Sequence, residues 1–170
     1  MFTKREYKGK SPKIAESTFI FENVSIYGDV TIGENCVIMP GCVIRGEGFP
    51  VVIGDNTNIQ DLCCIHTDSA DGGIYIGKNV TIGHGAIIHA CTIDDSAMVG
   101  MGSIVQNRAH IGSFCLIGAG AVVPAGCEIQ SGYMALGVPA KEKRPVSEAE
   151  RKDIFDTIKE YKNLAEEYLK

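Results

Sequence analysis

Isoleucine or valine recurs at every sixth position through most of this chain. Ile14, Ile20, Ile26, Ile32, Ile38 and Ile44 stand six apart, and the count resumes after three extra residues at Ile53, Ile59 and Ile65. After five extra residues it resumes at Ile76, Ile82 and Ile88, then one residue short at Ile93, Val99, Val105, Ile111, Ile117, Val123 and Ile129. Two places before each apolar residue sits a small or β-branched one, as at Val24, Val30, Cys36, Cys42, Thr57, Cys63, Val80, Ala86, Cys91, Ala97, Ser103, Ala109 and Cys115. Glycine often follows it, as at Gly33, Gly54, Gly77, Gly83, Gly100, Gly112 and Gly118. A period of six is neither the 3.6 of a helix nor the 2 of an alternating strand. It suits a short strand plus a turn, each hexad forming one side of a prism. The periodic residue then points inward, the small residue fills the narrow interior beside it, and glycine relaxes the corner.

This pattern resembles the hexapeptide-repeat family, whose chains coil as a left-handed parallel β-helix with three hexads per turn. The handedness is implied by the resemblance alone, because crossovers between parallel strands are otherwise right-handed. The expected fold class is an all-β solenoid with a C-terminal α-helix. A β-helix domain takes residues 1–137, with a short lead-in before repeats that run from about residue 11 to residue 137, and residues 138–170 form a linker and a helix packed on it. Ser147-Glu148-Ala149-Glu150 reads as a capping box, and Ile154, Ile158, Tyr161, Leu164, Ala165, Tyr168 and Leu169 follow at helical spacing. Lys152, Lys159 and Glu160 then fall on a solvated face. A length of 170 residues suits one such domain, and 20 glycines with no tryptophan suit a chain that turns often around a thin core.

Sixteen Lys and Arg against 21 Asp and Glu leave a net charge of −5, which gives no basic footprint for nucleic acid or an anionic membrane. No run of about 18 apolar residues is present and no apolar segment follows the first charged residues, so a cytoplasmic location is expected. Six of the seven cysteines (Cys36, Cys42, Cys63, Cys91, Cys115 and Cys127) occupy the small interior position and read as reduced, buried hydrophobes; only Cys64 is out of that phase.

The register gives the histidines their meaning. Ile65 and Ile88 lie three hexads apart, so His66 and His89, which follow them, should stack on successive coils at the inter-strand spacing of about 4.8 Å. Two imidazoles at that separation can lean together onto one zinc ion. His84 follows Ile82 by two places and belongs to another corner, so the simplest closure is a homotrimer in which His84 of one copy meets His66 and His89 of its neighbour. Three histidines with an open fourth position are the arrangement of a catalytic zinc. Arg45 shares the column of His66 and His89, and Asp61 shares that of His84; both are expected to line the site, to form a subunit-interface ion pair, or to do both. His110 belongs to neither column.

Arg45-Gly46-Glu47, Asn58-Ile59-Gln60-Asp61, the isolated His66, Gly83-His84 with His89 five on, and Val99-Gly100-Met101-Gly102 are similar to the gamma-class carbonic anhydrases. The resemblance implies zinc (iron or cobalt also fitting) on His66, His84 and His89, with Gln60 holding the metal-bound water and Asn58 positioning Gln60. It places Arg45 and Asp61 at the site and the trimer interface, and Tyr133 as a site-lining tyrosine. The implied activity is that of a lyase: reversible hydration of carbon dioxide to bicarbonate by metal-bound hydroxide, or ester or thioester hydrolysis by the same nucleophile. Glu47 stands where the family usually has aspartate. The short segment 67–75 has no glutamate to shuttle protons, leaving Asp68 or Asp71 as relays and predicting slow proton removal. Gly137-Val138-Pro139-Ala140-Lys141 resembles the C-terminal motif of acyl-CoA-dependent hexapeptide acyltransferases, which need one histidine as general base and no metal. A metal-stapled trimer without turnover is the third expectation.

Overall fold

A computed structural model describes residues 1–67, 70 and 72–168. Counting by sixes holds along the coil. Ile26, Ile44, Ile65, Ile88, Val105 and Val123 stand in one parallel ladder, one coil apart at each step. Ile20, Ile38, Ile59, Ile82, Val99, Ile117 and Ala135 form a second, and Ile32, Ile53, Ile76, Ile93, Ile111 and Ile129 a third. Three hexads therefore make one turn of a left-handed parallel β-helix. From Ile26 to Ile129 the periodic residues are buried and line the axis, and the small residues two places earlier pack among them.

The corners differ from the expectation in one respect. At most corners the residue that turns the chain lies three places before the core residue: Asn35, Asn56, Asn79, Gly85 and Gly102 there all have positive φ, while the corners before Ile32, Ile53 and Ile76 depart from that spacing. Asparagine and glycine tolerate that left-handed conformation best. The glycines that follow the core residues serve close approach instead. A Cβ at Gly83 would come within 2.7 Å of the Met101 backbone nitrogen, and one at Gly100 within 2.5 Å of that of Ala119.

The three outer faces are unlike. One carries Val43, Cys64, Ile87, Ile104 and Val122 in a single outward ladder, an apolar stripe in which Ile87 is 41% exposed. A second presents Thr31, Val52, Tyr75, Thr92, His110 and Glu128, where His110 pairs with Asp94 at 2.9 Å. The third is covered by the C-terminal helix, Glu148–Tyr168. Glu150 N–H reaches Ser147 Oγ at 3.3 Å and Ser147 N–H reaches the Glu150 carboxylate at 2.9 Å, closing the capping box. Ile154 and Ala165 are buried, and Tyr161 and Leu164 pack with Phe19, Phe21, Val37 and Met39. Tyr168 meets Phe21 with the two rings near perpendicular and stays 68% exposed, and Leu169 lies outside the described residues. Between coil and helix, Tyr133–Leu136 pairs antiparallel with Lys141–Pro145. Among the described residues no helix is long and apolar enough to cross a membrane.

Candidate metal centre

The column Arg45, His66, His89 is continuous, each residue paired with the next on adjacent strands. The two imidazoles lean together, with His66 Nδ1 and His89 Nε2 3.2 Å apart. His89 Nδ1 lies 2.7 Å from Asn107 Oδ1. An amide oxygen only accepts, so this contact suits the tautomer with the proton on Nδ1, which turns a lone pair toward His66. Burial holds the His66 pKa below the ordinary histidine value, with the nearby Arg45 charge adding to the effect, so His66 favours the neutral form that a ligand requires.

His84 stands at another corner, on the strand register that places Thr81 and Ile82 above Asn58 and Ile59. Its Nδ1 is 2.8 Å from Asp61 Oδ2, and its Nε2 accepts from the Tyr161 hydroxyl at 3.2 Å. Its backbone N–H donates to Gln60 Oε1 at 3.1 Å. Gln60 is buried; its amide reaches Asn58 Oδ1 at a long 3.5 Å, while Asn58 donates to Thr81 Oγ1 at 2.8 Å. Gln60, Asn58 and Asp61 therefore gather around His84, and Arg45 gathers with His66 and His89. Arg45 pairs with Glu47 of its own chain at 2.7 Å, and the same carboxylate oxygen is 3.7 Å from His66 Nε2. The longer side chain at position 47 thus folds back over the column.

Within one chain the three histidines do not converge, and among the described residues no three His, Cys, Asp or Glu side chains form a cluster able to hold a metal. Tyr133 is not brought to them: it packs against the core at the far end of the coil, one place before Met134, whose strand lies beyond Leu116. The aromatic residue that reaches a candidate ligand is Tyr161, from the helix. Sequence reasoning assigned Tyr161 to the packed face and did not name Asn107 or Thr81. The ladder register would have found Thr81, which pairs with Asn58, but not Asn107, which stands two places after Val105 where His89 stands one after Ile88. Asp68 and Asp71 lie outside the described residues.

The family profile for bacterial transferase hexapeptide (six repeats) matches residues 11–46. The carbonic anhydrase of Geobacillus kaustophilus is 43% identical over 163 residues, which cover 96% of this chain and 85% of that protein. This chain belongs to the gamma-class carbonic anhydrase-like family of hexapeptide-repeat proteins. Gamma carbonic anhydrase 2, mitochondrial, of Arabidopsis thaliana is 37% identical over 162 residues, 92% of this chain; the chain spans 58% of that relative's length. The crystal structure of a hexapeptide transferase family protein from Anaplasma phagocytophilum superimposes with a TM-score of 0.93 at 40% identity, covering 98% of each chain.

Proposed function

We propose that this protein is a carbonic anhydrase-like metalloenzyme, active as a homotrimer, that interconverts carbon dioxide and bicarbonate. The observation that carries the reading is the facing pair His66 Nδ1 and His89 Nε2 at 3.2 Å. Two nitrogens each about 2.0–2.1 Å from a tetrahedral zinc ion stand about 3.3 Å apart, so the pair fits half of a zinc site as it stands. His84 of a neighbouring copy supplies the third ligand; Asp61 accepts its Nδ1–H and leaves Nε2 as the donor atom. The apolar stripe Val43, Cys64, Ile87, Ile104 and Val122, which runs beside the His66 and His89 column, supports an interface there. Zinc, or iron or cobalt in its place, would be held by His66, His89 and the neighbour's His84 and would supply an activated hydroxide near neutral pH. Gln60, held between the His84 backbone and Asn58, orients the attacking oxygen, and Arg45 offers positive charge where negative charge develops.

Metal content decides the matter. The protein purified without added metal is expected to carry about one metal per subunit, and His84→Ala to lose most of it together with carbon dioxide hydration. Full occupancy in His84→Ala would overturn the shared site. An acyltransferase would instead turn over acyl-CoA with no metal bound, and a stapled trimer would hold the metal and show neither activity.

A further inference from the structure

The three candidate ligands are held by three different partners. His84 is held by a carboxylate, Asp61, at 2.8 Å. His66 faces Glu47 only at 3.7 Å, and that oxygen is shared with Arg45. His89 meets no carboxylate among the described contacts; its Nδ1 faces a neutral group, the side-chain amide oxygen of Asn107, at 2.7 Å. Asn107 stands two places after the core residue Val105, whose strand pairs with that of Ile88 one coil away. Its backbone is fixed on both sides: its carbonyl accepts from Gly126 N–H at 2.9 Å, and the next residue, Arg108, donates to the Ala90 carbonyl at 2.7 Å.

We infer that Asn107 is a positioning residue for His89: its amide oxygen accepts the Nδ1–H and so aims an unprotonated Nε2 at the place where a metal would be shared with His66. A neutral imidazole has one proton for two nitrogens, and an acceptor at Nδ1 favours the tautomer that carries it there. Hydrogen bonds to the far nitrogen of a ligand histidine set both ring orientation and donor strength, and their loss typically costs 10–100-fold in metal affinity. An amide accepts without adding charge, so it fixes the tautomer and leaves His89 a weaker donor than His84. The inference rests on the metal-centre reading only for what Nε2 is used for; the tautomer itself needs no metal.

The test uses the full-length metal-free protein at about pH 8, where nitrogen NMR of the histidine rings reports which nitrogen carries the proton. His89 is expected to be protonated on Nδ1 in the parent and in Asn107→Asp. In Asn107→Leu it is expected to lose that preference, and chelator competition is expected to show zinc affinity about 10–100-fold weaker than the parent. Asn107→Asp, which keeps the acceptor and adds charge, is expected to bind zinc at least as tightly as the parent. His89 protonated on Nε2 in the parent, or Asn107→Leu unchanged in both tautomer and affinity, would overturn the inference. A parent that takes up no zinc would overturn the metal-centre reading instead, and the tautomer would still decide the role of Asn107.

Discussion

Tyr161 shows how much one hydroxyl can matter at this site. His84 Nδ1 is occupied by Asp61, so its remaining nitrogen is the one that must leave the subunit to find a metal, and that nitrogen holds the Tyr161 O–H. Burial raises the tyrosine's pKa, and the Asp61 charge raises it further, so the group stays a proton donor throughout the neutral range. The hydrogen bond and the metal compete for one lone pair. A neutral hydrogen bond contributes about 1 kcal/mol, so Tyr161→Phe should tighten zinc binding by up to about fivefold. Weaker binding in Tyr161→Phe, by chelator competition at fixed pH, would show that the hydroxyl supports the bound state and does not oppose it. The Tyr161 contact was not visible in the spacing of residues, because a helix that folds back across 77 positions obeys no register with the coil.

The coil and the helix were legible to different depths. Hexads fix which residues share a ladder, so the stacking of His66 on His89 and of His84 with Asp61 followed from counting alone. The role of the glycines did not, because a residue needed for positive φ and one needed for close approach look the same in a sequence; Gly85 is of the first kind and Gly83 of the second. The helix was legible at its start, where Ser147 and Glu150 cap each other, and less so at its end, where Tyr168 is largely exposed. Glu150 also meets Arg144 at 2.8 Å, which, with the Ser147 contacts, holds its pKa down at about 2. A carboxylate depressed in the folded state stabilises it above the ordinary carboxylate range and ceases to do so as the pH falls toward the folded value. Glu150→Gln should therefore lower Tm at pH 7, and the gap from the parent should narrow as pH falls from about 4.5 toward 2. Ser147→Ala removes a cap and should cost about 1 kcal/mol at every pH above that window, read by thermal or denaturant unfolding.

At the scale of the whole molecule, the unequal faces of the prism set where a second copy can dock. The helix covers one face, and a second carries His110 with Asp94 and exposed Glu128. The remaining face shows water a ladder of Val43, Cys64, Ile87, Ile104 and Val122 immediately beside His66 and His89. If closing the trimer over this face is what delivers His84, then metal binding and assembly are one event, and either can be removed by a change that touches no ligand. Ile87→Asp places a charge in the middle of the stripe, on a side chain that points outward, so the coil should keep its core and its circular dichroism spectrum. Burying an unpaired carboxylate in an interface costs several kcal/mol, which is enough to shift a micromolar sample to monomer. The expected result is a folded monomer by light scattering that has lost most of its metal with all three histidines intact. A monomer that still held one metal per chain would place the site within a single subunit, and the separation of His84 from its two companions would then need a different explanation.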